Sequence, residues 1–307
     1  MAEPIKPTRI LVTGAAGWLA QTLIPRLRRD GHTVIGLDPR PSPLTDVVAP
    51  AADRQAVRRA IRDHGITAII HGGALHKPNI ATHGNSDFID ANVTGTLVLL
   101  EEAVAAGVDR FVFTSTTSLM ISREIRDAQG ASAVWIDETM APLLPRNIYG
   151  VTKQAGENLS RFMHQEHGLP VIVLRTARFF PEEDDMAHAI AQDEENTKAN
   201  EFLFRRLTVE DAAEAHVAAL EQAPKIGFDT FVVSAKTPFQ PSDCAELMHD
   251  APAVVRRYFP DYPALYAARG WTMFQSIDRV YDASKLERQL GFVCKTSFSD
   301  VLSKLAR

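Results

Sequence analysis

The sequence predicts an α/β protein: a doubly wound parallel sheet followed by a small C-terminal lobe. Three observations carry this expectation. Short β-branched runs alternate with longer segments of helical period. The runs are nearly continuous in apolar residues, as strands covered on both faces are, and not alternating in and out. Glycines fall where successive helices must stop.

The first strand covers Arg9 to Val12 and leads into a helix over Trp18 to Arg29, closed by Gly31. Thr33 to Leu37 precedes a helix over Arg54 to Asp63 and Gly65. Ala68 to His71 precedes Phe88 to Ala106 and Gly107, and Phe111 to Thr114 precedes Tyr149 to Glu166 and Gly168. Val171 to Leu174 is the next strand. An acidic, strand-poor stretch from Pro181 to Asn200 interrupts the pattern, which resumes with a helix over Val209 to Leu220 and a strand over Thr230 to Val233. Pro- and aromatic-rich sequence from Pro238 to Trp271 then reads as a lobe. The expected domains are 1–175, with 209–234 returning to it, and a substrate-side lobe from 176–208 and 235–307.

Composition narrows the function classes. The 307 residues are 45% hydrophobic and 23% charged, with a net charge of -5 and basic residues only in short clusters such as Arg205-Arg206, which argues against a nucleic-acid partner. No apolar run reaches the ~18 residues of a membrane span, and the N-terminal residues lack an apolar leader, so a cytoplasmic location and no membrane partner are expected. Cys244 and Cys294 are too few for a disulfide framework. Ten histidines show no metal-binding spacing, and no metal is expected.

The first strand runs into Thr13-Gly14-Ala15-Ala16-Gly17-Trp18-Leu19-Ala20, a Gly-x-x-Gly-x-x-Ala turn that opens a helix. Glycines there permit close backbone approach to a pyrophosphate, and the helix N-terminus favours its charge. Gly14, Ala16, Gly17, Trp18 and Leu19 are therefore candidate dinucleotide contacts. Asp38 ends the second strand, where a carboxylate accepts from an adenosine ribose and repels a 2′-phosphate, which favours NAD over NADP.

Tyr149 and Lys153 stand i, i+4 on one helix face, a spacing that sets an ammonium beside a phenol whose ordinary pKa is near 10. Tyr281 and Lys285 share the spacing. Position separates them, because Tyr149 follows the strand ending in Thr114-Ser115-Thr116, at the sheet edge where ligands of open α/β folds bind.

Thr13 to Ala20, His71-Gly72-Gly73-Ala74, Asn92-Val93-Thr94-Gly95-Thr96, Phe113-Thr114-Ser115-Thr116 and Tyr149-Gly150-Val151-Thr152-Lys153 with Glu157 occur in an order that resembles extended short-chain dehydrogenases, the NAD-dependent epimerase/dehydratase family. Tyr281 to Lys285 and Leu290-Gly291-Phe292 resemble its C-terminal segment. The resemblance implies catalysis by Thr116, Tyr149 and Lys153, with Ser115 as the alternative to Thr116. It implies cofactor contacts from Gly72, Gly73, Ala74 and Thr114 as well as the turn, Tyr149 and Lys153, it has Asn92 either contacting the cofactor or bracing the adjacent loop, and it suggests a homodimer. His76 and Arg178 are candidate substrate contacts. Asp53 reads as a helix cap.

The expected activity is hydride transfer between a secondary hydroxyl of a sugar-like small molecule and NAD. The alternative is a sugar or nucleotide-sugar epimerase of the UDP-glucose 4-epimerase kind. A non-catalytic NAD sensor is disfavoured by the presence of Thr116, Tyr149 and Lys153 together.

Overall fold

The computed structural model describes residues 7–180 and 194–307. Most of the acidic stretch expected to be strand-poor, residues 181–193, lies outside the described residues; its end, Glu194–Glu201, is a helix.

Seven strands form one sheet in the order β3-β2-β1-β4-β5-β7-β8. They are β1 (Arg9–Thr13), β2 (Thr33–Asp38), β3 (Val47–Val48), β4 (Ala68–His71), β5 (Arg110–Thr116), β7 (Val171–Thr176) and β8 (Phe228–Val233). Neighbours from β3 through β7 run parallel. Because β1 has β2 on one side and β4 on the other, the connections leave in opposite directions there, which opens a crevice beyond the carboxyl ends of the strands. A second sheet pairs β6 (Val134–Ile136) with β9 (Arg279–Tyr281).

The helices that matter here are α1 (Trp18–Arg29), α2 (Arg54–His64), α3 (Asn85–Phe88), α4 (Gly95–Ala105), α5 (Arg123–Arg126) and α6 (Ile148–His167). Asp53 caps α2 by accepting from the Ala56 amide at 3.0 Å. Gly65 and Gly168 close α2 and α6 at φ of +58° and +70°, left-handed conformations in which a Cβ is strained. The single helix expected over Phe88 to Ala106 has a more varied winding: between α3 and α4, Ile89–Thr94 adopts a wider, π-type turn. That turn carries the buried Asn92 into hydrogen bonds with Leu75 and Thr152.

The main core lies on the sheet face covered by α2, α4 and α6, where Leu11, Val57, Ile69, Leu99, Phe111, Phe113 and Val173 are sealed from solvent. The chain divides into two compact units. One holds Met1–Leu119, Pro145–Thr176 and Ala212–Phe231; the other holds Met120–Leu144, Ala177–Asp211 and Val232–Arg307. Met120–Leu144 thus groups with the second unit and not with the first, in keeping with the pairing of β6 within it to β9. The second unit has its own core around Leu203, Phe239, Val254, Tyr266 and Phe298. No helix among the described residues is long and apolar enough to cross a membrane.

Candidate active site

The turn after β1 is built by backbone. Gly14 and Ala15 donate to the Leu37 carbonyl at 2.9 and 3.3 Å, and Gly17 donates to the Gly14 carbonyl at 2.8 Å. Gly14 has φ +77°, and a Cβ on it would come within 2.8 Å of the Gly73 nitrogen. The glycines after β4 therefore press directly on the turn after β1. Gly17 caps α1 without a side-chain hydrogen bond, and no acidic residue occupies the first turn of that helix. Such a helix start keeps its amides for an external anion, unlike that of α2, which Asp53 serves.

Asp38 is buried at the end of β2. One carboxylate oxygen accepts from the Ala16 amide at 3.2 Å and the other from the Arg40 amide at 2.9 Å, with the Arg40 guanidinium 3.6 Å away. The carboxylate is thereby tied to the turn itself. Trp18 is 40% exposed, and a Cβ on Gly72 would lie 3.9 Å from the Leu19 side chain. A glycine cradle, an uncapped helix start and a carboxylate at the end of the next strand fit a dinucleotide such as NAD.

His71, given no role of its own by the sequence, holds these pieces together. Its Nδ1 lies 2.6 Å from Thr13 Oγ1 and its Nε2 3.0 Å from Thr96 Oγ1, while Thr96 donates to the Asn92 carbonyl and Thr13 accepts from the Gly73 amide. Thr96 has spent its hydrogen, so His71 Nε2–H donates to it and Nδ1 accepts from Thr13. Full burial, with the Lys153 charge nearby, pushes the ring down to about 3 and keeps it neutral. Asn92 uses its amide on Leu75 and Thr152, so it braces the chain after β4, one of the two roles open to it from the sequence. Ala74 lies in that braced segment. His76 opens a short turn over Lys77–Ala81, its amide donating to Asn79 at 2.9 Å.

Helix α6 supplies the catalytic candidates. Asn147 caps it by accepting from the Gly150 amide at 2.9 Å. Gly156 lets it lie flush on β5, since a Cβ there would stand 2.5 Å from the Phe113 ring. Lys153 consequently reaches the strand: Nζ donates to the Thr114 carbonyl at 2.7 Å and stands 4.7 Å over Phe113. Burial lowers its pKa to about 7, opposed by the charge of Glu157.

Tyr149 is pushed up to about 12 by burial, opposed by a hydrogen bond with Thr116. The i, i+4 spacing predicts a phenol made more acidic by Lys153. Instead its desolvation dominates, while the Lys153 amine points to a backbone carbonyl.

Alternation along β5 gives Thr116 and Ser115 different surroundings. The Ser115 hydroxyl donates to Glu157 at 2.6 Å, and that carboxylate also takes Arg175 at 2.8 Å in a buried pair. Thr116 remains as the hydroxyl beside the phenol, and its oxygen also accepts from the Ser118 amide. The Thr114 hydroxyl meets His216 at 2.8 Å, a partner 102 residues away that no local pattern marks. Tyr281 ends β9 and does not share a helix with Lys285, so the competing Tyr-Lys spacing places no pair on one helix face. Arg178 belongs to the second unit, where it lies 4.0 Å from Glu201, a carboxylate that also pairs with Arg205 and Arg206.

The model of the NAD dependent epimerase/dehydratase family matches residues 10–233. L-arabinose 1-dehydrogenase (NAD(P)(+)) of Haloferax volcanii is 33% identical over 175 residues, a match covering 54% of this chain and 65% of that protein. Uronate dehydrogenase of Pseudomonas syringae pv. tomato is 25% identical over 248 residues, 78% of this chain and 83% of that protein. The crystal structure of a short-chain dehydrogenase/reductase superfamily protein from Agrobacterium tumefaciens with bound NAD has a TM-score of 0.67 at 24% identity, covering 97% of this chain and 96% of that one, and shows the same fold. The chain belongs to the NAD dependent epimerase/dehydratase family.

Proposed function

We propose that this chain is an NAD-dependent dehydrogenase that oxidises a secondary hydroxyl of a sugar or similar polyhydroxylated small molecule, or reduces the matching ketone. The observation that carries the reading is the buried Tyr149 phenol near Thr116, on the same helix as Lys153, whose amine donates to the Thr114 carbonyl at 2.7 Å. When bound, NAD would supply the hydride acceptor, and the turn shaped by Gly14, Gly17, Gly72 and Gly73, together with Asp38, would hold it. Thr116 holds the substrate oxygen, and Tyr149 exchanges its proton. With the phenol at about 12, Tyr149 is protonated at neutral pH and is ready to act as the acid for reduction. Oxidation requires positive charge near the phenol, and the Lys153 ammonium on the same helix is its proposed source. His76 and Arg178 are the candidate substrate contacts.

Relatives that are named as sugar and uronate dehydrogenases support this choice. The same three residues also suit an epimerase, in which the ketone stays bound and takes the hydride back, and the family's name supports that second reading. A homodimer through α6 is part of the proposal, supported by Val151 and Phe162, 46% and 51% exposed and about three turns apart on that helix.

Purified protein incubated with NAD and panels of free sugars, uronates and nucleotide-linked sugars tests the activity. Net NADH with a free sugar or uronate is expected. A stereoisomer formed without net NADH would replace the dehydrogenase by the epimerase, and turnover unchanged in Tyr149→Phe would sink both.

A further inference from the structure

His216 is buried on the helix Val209–Ile226 and is pinned at both ring nitrogens. Nδ1 lies 2.7 Å from the Ala212 carbonyl, and Nε2 lies 2.8 Å from Thr114 Oγ1. A carbonyl can only accept, so Nδ1 carries the hydrogen. In the neutral ring Nε2 is then an acceptor, and the Thr114 hydroxyl must donate to it. Burial holds the ring in that form by lowering its pKa to about 4.

A threonine hydroxyl has one hydrogen. With it committed to His216, Thr114 Oγ1 has only lone pairs left to offer. This oxygen lies 3.7 Å from the position that a Cβ on Gly72 would take, beside the glycine backbone that presses on Gly14. The Thr114 carbonyl meanwhile accepts from Lys153. One residue thus faces the glycine cradle and anchors the catalytic candidate, with its hydroxyl polarity set from outside.

We propose that His216 is a positioning residue for the cofactor: by taking the Thr114 hydroxyl hydrogen, it fixes Thr114 Oγ1 as an acceptor beside Gly72, matched to a hydrogen-bond donor on the bound dinucleotide. Without His216 the hydroxyl is free to rotate and can present its hydrogen to that donor, which is a mismatch. The inference rests on the NAD-binding reading above.

The test is the NAD affinity of the full chain by calorimetry, with the thermal midpoint measured in parallel, for wild type, His216→Leu, Thr114→Val, Thr114→Ser and the His216→Leu/Thr114→Val double variant. Loss of one neutral hydrogen bond predicts about a fivefold to tenfold weaker Kd in His216→Leu and in Thr114→Val, and little change in Thr114→Ser. Because His216 acts through Thr114, the double variant should bind no worse than either single one. A purely structural role would instead lower the thermal midpoint without this coupling in Kd. Losses that add in the double variant, or a folded His216→Leu that binds NAD like wild type, overturn the proposal. If His216→Leu does not fold, Thr114→Val decides: unchanged affinity there overturns the proposal equally. Failure of wild type to bind NAD would remove the cofactor reading itself, an outcome distinct from the others.

Discussion

Replacing Glu157 by glutamine tests the buried ion pair beneath the site. The Glu157 and Arg175 side chains are 7% and 6% exposed. Glu157 accepts from Arg175 Nη2 at 2.8 Å, from Arg175 Nε at 3.0 Å and from Ser115 at 2.6 Å. Glutamine preserves the volume but removes the charge, and its amide turns one acceptor into a donor. The guanidinium would remain buried without its counter-charge, when its Nη1 already finds no hydrogen-bond acceptor among the described residues. Removing one partner from such a pair costs about 3–5 kcal/mol. For a chain of this size that corresponds to a fall in Tm of roughly 5–8 °C. Urea and thermal denaturation measure it. A second readout follows from Lys153, whose pKa Glu157 holds up against burial. In Glu157→Gln, Lys153 should lose its proton at lower pH, and any activity limb that reports it should move down. Replacing both partners, as Glu157→Leu with Arg175→Met, removes the buried charge altogether and should recover most of the stability. A Glu157→Gln variant within ~1 kcal/mol of wild type, or a double variant no more stable than the single one, would refute the reasoning.

Tyr149→Phe should lower turnover by about 10²–10⁴-fold while leaving NAD affinity nearly unchanged, as steady-state rates and calorimetry will show; an active variant would remove the proton-transfer role. Asp38→Ala should narrow the preference for NAD over NADP by about tenfold, ~1.4 kcal/mol, in paired Kd measurements, and an unchanged ratio would contradict the ribose assignment. His71 and His216, at about 3 and about 4, lie below the ordinary histidine value, so between those values and pH ~6.5 the unfolded chain binds more protons than the folded one. Their contribution to stability is complete above pH ~6.5 and falls as pH drops, by up to ~1.4 kcal/mol per pH unit for each. Urea titrations at pH 7 and pH 5 should show the loss, and His216→Gln should reduce it; a flat profile would contradict the neutral assignments.

Much of the sheet was legible because buried parallel strands are written as local apolar runs. Arg9 to Val12 and Ala68 to His71 fall on β1 and β4 to within a residue. Short strands escaped. Val47–Val48 has only two residues, and Val134–Ile136 exists as a strand because Arg279–Tyr281, some 145 residues later, pairs with it. The turn after β1 was legible for the same local reason, since Gly14 must adopt a positive φ against Gly73. What the sequence concealed was partnership. Nothing near Thr114 points to His216, and nothing in the spacing of Tyr149 and Lys153 tells that the amine will prefer a backbone carbonyl. Ser115 and Thr116 are interchangeable as text and become distinct only when the pleat sends Ser115 to Glu157.

That pleat makes β5 a partition wall. Phe113 and Ser115 meet α6 on one side, through Gly156 and Glu157, while Thr114 meets His216 on the other. Both faces of the strand therefore serve the site: α6 brings Lys153 over Phe113 on one, and His216 meets Thr114 on the other. A change on the α6 face reaches the buried ion pair and Lys153 together, while a change on the opposite face reaches Thr114 from behind. A lineage could in this way retune Thr114 while α6 keeps Tyr149 and Lys153 where they stand.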